Sequence, residues 1–431
     1  MLVWGRWPFL LALWVALSVG VALPPAAEAE GMEGNEGEGT RGAAVFGAWE
    51  GTIVLEETSR LETFRVVRIA AGLENPWGLA FLPDGSLLVT ERPGRMVILS
   101  PSGTKEQVEG LPPVVASGQG GLLDVVLDPD FSNSRWVYFS YIAPGPRGTS
   151  GTAVARARLD GIRLRGLQVL YEMKRKSSSG LHFGSRIAFG KDGMLYISTG
   201  ERGERDRAQD LSDTAGKVLR IHPDGRIPQD NPWAGQSGST RRATDGKIPQ
   251  GRIEGEGART GAENVAPEIY TYGHRNIQGM AVHPETGKVW VHEHGPRGGD
   301  EINILTPGAN YGWPVITYGR EYFGGFPIGE GTHKEGMEQP LLQWTPSIAP
   351  SGMTFYTGNR FPQWKGNLFV GALAGQHLRR IVLDGERVVE EEVLLLRKLG
   401  RIRDVRTGPD GYLYLLTDDR NGGLYRLEPA R

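Results

Sequence analysis

The sequence predicts an all-β protein, a six-bladed β-propeller of four-stranded antiparallel blades. Its 431 residues include 63 glycines and 28 prolines, a content that favours many short strands joined by tight turns. Uninterrupted apolar stretches with the period of a helix are few. In addition, one strand-turn-strand pattern recurs six times after about residue 64, and serial repeats of this kind are typical of propellers.

The first 60 residues precede the repeats. Residues 1–29 carry a single arginine, an apolar stretch and an Ala-Glu-Ala sequence, which predict a signal peptide and export to the periplasm or the cell exterior. An uncleaved membrane anchor is the alternative, because the apolar stretch approaches the length that spans a bilayer. The acidic, glycine-rich sequence that follows predicts a flexible leader over residues 30–60, which leaves residues 61–431 for the propeller.

Each repeat has an alternating apolar strand, a turn rich in Pro, Asp and Gly, and a second apolar strand. The six copies begin at Gly78, Asp124, Arg186, Gly279, Gly352 and Asp404. One copy cannot bury both of its faces, so six copies in series favour blades arranged about an axis. The largest insertion between copies, residues 226–266, is polar and glycine-rich and is expected to be a surface loop.

Overall composition excludes several classes of function. The formal net charge is −2 without a basic stripe, which argues against nucleic acid as a partner. Cysteine is absent, so the chain has no disulfide, thiolate metal site or cysteine nucleophile.

Residues at one end of the repeats are expected to meet at one opening. In an antiparallel pair, the start of the first strand lies beside the end of the second. The polar residues at this position are Gln119, His182, Arg275, Asn276, Arg401 and Arg403. Three arginines near an axis would repel one another, which predicts a small ligand with several carboxylates or phosphates. Structural alternatives are a hydrogen-bonded histidine and arginines in salt bridges, for example with Asp418.

The sequence from His292, HEHGPRGGDEINILTPGANYGWP, offers oxygen donors for a cation. Carbonyl groups of Gly295 and Pro296, together with acidic side chains and oxygens near Tyr311, suit calcium. The alternative is a glycine-rich turn whose carboxylates bond to the backbone. Zinc is not expected, because His292 and His294 alternate along a strand and point to opposite faces.

Five motifs in order carry a family resemblance: LHFGSRIAFGKDGMLYISTGERG, GHRNIQGMAVHP, the HEHGPRGG sequence above, GALAGQHLRRI and GRIRDVRTGPDGYLYLLTD. Together they resemble the soluble pyrroloquinoline quinone-dependent sugar dehydrogenases, in particular the aldose sugar dehydrogenase branch of the glucose/sorbosone dehydrogenase family. The resemblance implies a propeller that holds the quinone and calcium over its axis and oxidises the anomeric hydroxyl of aldoses to lactones. It also implies an external electron acceptor, a quinone or a cytochrome, and a monomer or homodimer without stable membrane insertion.

The resemblance further implies roles for individual residues. His182 matches the general base, which takes the hydroxyl proton while hydride passes to the quinone, and Arg275 assists it. The implied cofactor-binding positions are Gln119, Arg275, Asn276, Gly295, Pro296, Tyr322, Ala374, Arg401, Arg403 and Thr417. The implied calcium positions are Gly295 and Pro296 for the ion of the cofactor, and Glu301 and Tyr311 for a second, structural ion. Ala374 and Leu181 depart from the glucose dehydrogenase branch, which carries a lysine and an acidic residue there, and both differences favour a broad aldose pocket.

Two other functions fit the same residues. A calcium-dependent hydrolase of the lactonase type would use calcium and His182 to activate water, but a neutral lactone would give Arg401 and Arg403 nothing to bind. A non-catalytic carbohydrate-binding propeller would need neither His182 nor the calcium carbonyls.

Overall fold

The structure is a computed structural model, and it describes residues 49–235 and 265–430. The predicted signal peptide, most of the predicted leader and most of the 226–266 insertion lie outside the described residues. Among the residues described, no helix is long and apolar enough to cross a bilayer.

Six antiparallel sheets succeed one another along the chain, and each sheet is one blade. Strands β1 (Thr52–Thr58) and β2 (Thr63–Leu73) come first. Blade 1 contains β3 (Pro76–Phe81), β4 (Leu87–Glu91), β5 (Arg95–Leu99) and β6 (Lys105–Gln107). Blade 2 contains β7 (Leu122–Leu127), β8 (Trp136–Pro144), β9 (Ser150–Asp160) and β10 (Arg163–Glu172). Blade 3 contains β11 (Gly184–Phe189), β12 (Leu195–Thr199), β13 (Lys217–Ile221) and β14 (Ile269–Tyr272).

The remaining blades repeat this arrangement. Blade 4 contains β15 (Ile277–Val282), β16 (Val289–Glu293), β17 (Asp300–Ile304) and β18 (Leu342–Trp344). Blade 5 contains β19 (Pro350–Phe355), β20 (Leu368–Ala372), β21 (His377–Asp384) and β22 (Arg387–Leu394). Blade 6 contains β23 (Ile402–Thr407), β24 (Leu413–Thr417) and β25 (Gly422–Pro429), followed in the sheet by β2 and β1. The helices of the described residues are short: α1 (Phe131–Ser134) and three 3₁₀ turns, Pro146–Gly148, Arg205–Gln209 and Pro362–Trp364.

The blades close into a ring. Each innermost strand packs against the next, from β3 through β7, β11, β15 and β19 to β23, and β23 packs against β3. Both ends of the described chain build the sixth blade, because β2 pairs with β25 from Phe64 opposite Pro429 to Leu73 opposite Gly422. This architecture confirms the predicted six-bladed propeller.

Strand β1 corrects the predicted leader boundary. Residues 52–58, assigned to the leader, pair with β2 and give blade 6 a fifth strand. Just before β1, the buried indole of Trp49 donates from Nε1 to the Gly85 carbonyl at 3.0 Å. The boundary at residue 60 was wrong because β1 is an edge strand with mostly exposed side chains. Because β1 is held by backbone hydrogen bonds to β2, its sequence need not show the apolar alternation that identifies the other strands.

The core lies between neighbouring blades. Buried apolar side chains form one cluster at each of the six blade interfaces. Val89 and Leu416, for example, belong to the cluster that joins blade 1 to blade 6. Because every blade has its two faces covered by its neighbours, the ring carries its hydrophobic core around the axis and leaves the axis itself free for polar groups.

A bulge occurs near the start of every innermost strand. Pairing shifts register between Pro76 and Gly78 in β3, for example, and between Ile402 and Asp404 in β23, and each of the other four innermost strands has a similar shift. A bulge adds an unpaired residue and turns the local strand. Bulged residues such as Trp77 and Arg403 therefore project into the opening at this end of the axis.

Candidate functional site

All six blades contribute to a central cavity of about 330 Å³ at this opening. Its lining residues are Trp77, Arg92, Gly118, Gln119, Leu123, Phe183, Gly184, Asn276, Gln278, His294, Ala349, Leu373, Arg401, Arg403 and Asp418. Four predicted residues are among them: Gln119, Asn276, Arg401 and Arg403. His182 lies beside the cavity, since its backbone N–H donates to Gln119 Oε1 at 2.9 Å. The predicted convergence of distant chain segments is therefore present.

Positive charge exceeds negative charge in the cavity lining. Arg401 and Arg403 share one carboxylate, that of Asp418, at 2.8 and 3.1 Å. Burial opposes ionisation of Asp418, but the charges of the two guanidinium groups hold its pKa well below the usual range. Arg92 also lines the cavity, and its guanidinium donates to the Gly118 carbonyl at 2.6 Å. Three guanidinium groups against one carboxylate leave an excess of positive charge that an anionic ligand would balance.

Arg403 is the more buried of the two clamp residues. It is 7% exposed, its guanidinium lies 5.6 Å from the Trp77 ring, and burial lowers its pKa. Nη1 donates to Gln278 Oε1 at 3.2 Å, whereas Nε has no hydrogen-bond partner among the described residues. The salt bridge to Asp418, proposed above as the structural alternative, thus exists but leaves donor capacity on this guanidinium.

His182 has one ring nitrogen bound and one free. Nδ1 lies 2.7 Å from Oε1 of Glu201, a carboxylate with 1% side-chain exposure. A carboxylate partner fixes the proton on Nδ1. Nε2 then carries the lone pair, and no described residue hydrogen-bonds to it. Burial lowers the pKa of His182, the Glu201 hydrogen bond opposes this shift, and the charge of Arg275 adds to it. The imidazole is therefore neutral near pH 7 and able to accept a proton.

Arg275 and Asn276 are held beside this histidine by blade 4. The backbone N–H of Arg275 donates to Glu293 Oε2 at 2.5 Å, and its Nη1 donates to the His294 carbonyl at 2.9 Å. Asn276 Oδ1 accepts from the Gly184 N–H at 3.1 Å. The carbonyl side of this amide is therefore occupied, and the NH₂ side, which has no partner among the described residues, remains to donate to a ligand.

Six of the ten predicted cofactor positions do not line the central cavity: Arg275, Gly295, Pro296, Tyr322, Ala374 and Thr417. Ala374 is exposed, and its neighbour Leu373 lines the cavity instead. Thr417 Oγ1 accepts from the Gly423 N–H at 2.9 Å, and its neighbour Asp418 lines the cavity. Tyr322 is 63% exposed at the rim, where its hydroxyl lies 3.4 Å from Arg275 Nη2. For Ala374 and Thr417, the predicted chain segment reaches the cavity, but the side chain that lines it belongs to the neighbouring residue.

Gly295 lies at a second, small cavity rather than at the central one. This cavity, of about 10 Å³, is lined by Arg275, Glu293, His294, Gly295, Gly299, Glu301, Tyr311, Trp313, Ile316 and Thr317. Pro296 lines neither cavity, and its carbonyl accepts from the Arg320 N–H at 3.0 Å. The two carbonyls predicted for the calcium of the cofactor are thus not both turned into the central cavity.

The small cavity contains a crowded pair of carboxylates. Burial, followed by the charge of Glu293, raises the pKa of Glu301 to about 8. A cation between these carboxylates would offset both effects. The Tyr311 hydroxyl, by contrast, donates to the Ile304 carbonyl at 2.7 Å and accepts from the Thr306 N–H at 2.9 Å. The group of Tyr311 that remains to ligate a cation is therefore its backbone carbonyl. In the described residues, no three His, Asp or Glu side chains converge as a metal site.

Asp300 has a structural role in this turn. Its carboxylate accepts hydrogen bonds from the backbone N–H groups of Gly295, Ile348 and Ala349, at 2.9, 2.7 and 3.0 Å, and from the Ser347 hydroxyl at 2.8 Å. These bonds occupy both oxygens, as the glycine-rich-turn alternative expects. Asp300 therefore holds the turn that carries Gly295 rather than offering itself to a cation.

A buried ionic network closes the axis beneath the central cavity. Arg186 is 2% exposed, and its Nη1 lies 3.3 Å from Asp124 and 2.9 Å from Asp404. Its guanidinium also lies 4.0 Å from the Trp77 ring. Arg406 contacts the same two carboxylates at 2.6 and 2.8 Å. Two cations balance two anions here, in contrast to the excess of cations in the cavity above.

With this geometry established, similarity to known proteins decides the family. A model described as glucose/sorbosone dehydrogenase matches residues 73–244 and 240–426. The chain belongs to the glucose/sorbosone dehydrogenase family. It is 43% identical over 362 residues to the aldose sugar dehydrogenase YliI of Escherichia coli strain K12, over 83% of this chain and 91% of the relative.

Solved structures support the same family. One described as a glucose dehydrogenase is 46% identical, with a TM-score of 0.77 over 85% of this chain and 99% of that chain. The PQQ-bound form of an aldose sugar dehydrogenase from Streptomyces coelicolor is 30% identical, with a TM-score of 0.66 over 84% of this chain and 96% of that chain. The family and fold predictions are confirmed, and the relatives support an oxidoreductase.

Several residues at this opening were not assigned a catalytic or cofactor-binding role from the sequence. Trp77, Arg92, Gln278, His294 and Asp418 line the central cavity, and Glu201 bonds to His182. Glu201 lies two residues after the end of β12, at the same end of the blade as His182, and counting along the repeats placed it there without a role. The feature of the sequence that points to Glu201 is a carboxylate at the end of the blade where a histidine also lies.

Proposed function

We propose that this protein is a quinoprotein that oxidises the anomeric hydroxyl of aldose sugars to the lactone, with pyrroloquinoline quinone as cofactor and His182 as general base. The observation that carries the proposal is a neutral, largely buried imidazole, with 12% side-chain exposure and a free Nε2, beside a cavity with excess positive charge. A tricarboxylate cofactor suits that charge. A sugar, being neutral, does not by itself account for three guanidinium groups.

The chain offers donors that fit the quinone. Arg401 and Arg403 would hold its carboxylates, and the unpartnered Nε of Arg403 supports this assignment. Gln119, Asn276 and Arg275 would contact its other oxygens, with Tyr322 at the rim. Ala374 and Thr417 would contribute through the backbone of their segments. When bound, the quinone supplies the hydride acceptor.

Proton transfer is the part that the chain itself performs. Glu201 holds the Nδ1–H of His182, so that Nε2 faces outward as the base. As Nε2 takes the proton of the anomeric hydroxyl, the imidazole becomes positively charged, and the Glu201 carboxylate stabilises that charge. Arg275 and Asn276 would offer cationic and amide N–H groups to the oxygens of the bound quinone and would stabilise negative charge there.

Calcium is a further part of the proposal. We propose Gly295 and Pro296 as carbonyl donors to an ion at the cofactor, for which the Pro296 carbonyl would use the lone pair that does not accept the Arg320 N–H. A second ion would lie near Glu301 and the carbonyl of Tyr311, where two carboxylates crowd each other. The raised pKa of Glu301 supports a cation in this place.

Location and partners are proposed on the sequence alone. We propose that residues 1–29 direct export to the periplasm or the cell exterior and that the mature protein is a monomer or homodimer. A small quinone or a cytochrome would accept the electrons, with no role for nucleic acid or for stable membrane insertion.

Dye-linked oxidation of aldoses by the purified protein tests the proposal. Activity should require both added quinone and calcium. His182→Asn should bind the quinone yet lose turnover by roughly 100-fold or more, as expected for loss of a general base. Lactone hydrolysis without quinone would favour the lactonase alternative, and sugar binding without turnover would favour the binding propeller.

A further inference from the structure

Arg202 is a buried cation that no carboxylate neutralises directly. The residue is 0% exposed, and burial lowers its pKa to about 10. Its Nη1 and Nη2 donate to the carbonyls of Leu181 and Ser179, and Nε has no partner. Within residues 49–235 and 265–430, no acidic side chain forms an ion pair with this guanidinium. A buried charge that is hydrogen-bonded to carbonyl groups instead of paired with a carboxylate is costly, which raises the question of what the position of Arg202 provides.

The groups that Arg202 contacts lie on both sides of His182. Leu181 and Ser179 precede the histidine, and Phe183 follows it with its ring 3.4 Å from the guanidinium carbon. The backbone N–H of Arg202 also donates to the His182 carbonyl at 3.3 Å. One arginine therefore holds the chain immediately before, at and after the histidine.

This chain segment needs to be held. His182 has φ of +49°, in the left-handed region that residues with a side chain rarely adopt. The side chain of His182 is fixed by Glu201, and its backbone segment is fixed by the next residue, Arg202. Of these two consecutive residues of blade 3, Glu201 orients the imidazole of His182 and Arg202 holds the backbone of the same residue.

We infer that Arg202 is a positioning residue that keeps the His182 backbone in its left-handed conformation and so aims Nε2 at the substrate. This inference rests on the proposed role of His182 as general base. Geometry favours arginine for the task, because a planar fork can donate to two carbonyls while stacking on an aromatic ring, whereas a lysine offers a single point charge. The charged or titratable groups that face His182 are Glu201, Arg202, Arg275 and His294.

Two variants distinguish the two contributions of Arg202, namely the hydrogen bonds of its planar guanidinium group and its positive charge. Arg202→Lys keeps the positive charge and loses the fork, so kcat should fall about 10- to 100-fold, as expected for a misplaced catalytic group, with KM for the aldose and the affinity for the quinone little changed. Arg202→Met also removes the charge, so the pKa of His182 should rise in this variant and stay near its original value in Arg202→Lys.

Arg207→Lys is the matched control. Arg207 is a buried arginine of the same loop that pairs with Asp213 at 2.7 Å and donates to the Arg175 carbonyl at 2.6 Å, without a contact to residues 179–183. This control should lower the melting temperature and leave kcat, corrected for folded protein, and the pKa of His182 unchanged.

The readout that does not depend on turnover is NMR of histidine-labelled protein without cofactor, with the His182 signal identified by its loss in His182→Asn. Altered ring signals and faster amide exchange over residues 179–183 in Arg202→Lys would support the inference. They would do so even if the wild-type protein oxidised no aldose, because the absence of oxidation would refute only the proposed function. Wild-type ring signals and kcat in Arg202→Lys would overturn the inference. Equal changes in Arg207→Lys would also overturn it, because the effect would then be general destabilisation.

Discussion

Replacing Glu201 with glutamine tests the proton-transfer arrangement most sharply. The 2.7 Å contact joins His182 Nδ1 to a carboxylate with 1% side-chain exposure, so little water competes for it. Hydrogen bonds to charged groups contribute about 1.5–3 kcal/mol. A loss of about 2 kcal/mol of imidazolium stabilisation in the transition state corresponds to a decrease in kcat of about 30-fold.

The same substitution should move the pH profile in a defined direction. Burial lowers the pKa of His182, and the Glu201 hydrogen bond raises it. Removing that hydrogen bond should lower the pKa further, so that the neutral base persists to lower pH. The acidic limb of the kcat profile is therefore expected to shift to lower pH while the plateau falls.

The assay is dye-linked aldose oxidation with saturating quinone and calcium from pH 5 to 9. Glu204→Gln is the matched control, because Glu204 lies three residues further along the same loop and pairs with Arg175 and Arg207 rather than with His182. The control should keep wild-type kcat and pH dependence. A Glu201→Gln plateau within about threefold of wild type, with an unshifted acidic limb, would refute the proposed role of this carboxylate.

Three further predictions concern the cofactor clamp, calcium and the closure of the ring. Arg403→Met should weaken quinone binding by roughly 10- to 100-fold, since a buried charged hydrogen-bond donor is lost; fluorescence titration of the apoprotein measures this, and unchanged affinity would contradict the clamp. Calcium should raise the melting temperature of the wild-type protein but not of Glu301→Gln, because binding to the folded state stabilises it; equal shifts would place the ion elsewhere. Trp49→Ala should lower the free energy of unfolding by about 3 kcal/mol, measured in urea, and a loss below about 1 kcal/mol would show that the contact of Trp49 with blade 1 matters little.

The fold could be predicted because its information is local and repeated. Each blade carries its own alternating strands and its own turn, so six weak signals support one architecture. Strand β1 lacked such a signal, since its side chains are mostly exposed and it is the edge strand of the last sheet, paired with β2 alone. Its place in the fold depends on ring closure, which no short stretch of sequence specifies.

The cavity could be predicted to the level of segments but not of every side chain. Counting from the strand ends placed His182, Asn276 and Arg403 at one opening, and in the structure Asn276 and Arg403 line the cavity while His182 lies beside it. Thr417 and Ala374 were each one residue away from the cavity-lining side chain, because alternation along a strand exchanges inward and outward positions at every step. The bulges at the strand starts shift this alternation, and their register follows from pairing that the sequence alone does not reveal.

Contacts between distant blades lay beyond sequence reasoning altogether. Arg186 of blade 3 lies 2.9 Å from Asp404 of blade 6, and these two blades stand on opposite sides of the ring. With Asp124 and Arg406 these two residues form a network of two cations and two anions, whereas the cavity lining has three guanidinium groups and one carboxylate. This difference in charge is the basis for proposing an anionic ligand in the cavity.

A crystal structure of the protein grown with pyrroloquinoline quinone and calcium tests the central claim most directly. The expected result is one quinone in the central cavity, with carboxylates on Arg401 and Arg403 and with its reactive face toward Nε2 of His182. Quinone bound outside the cavity, or a fully loaded cavity in which His182 points away from the cofactor, would contradict the account.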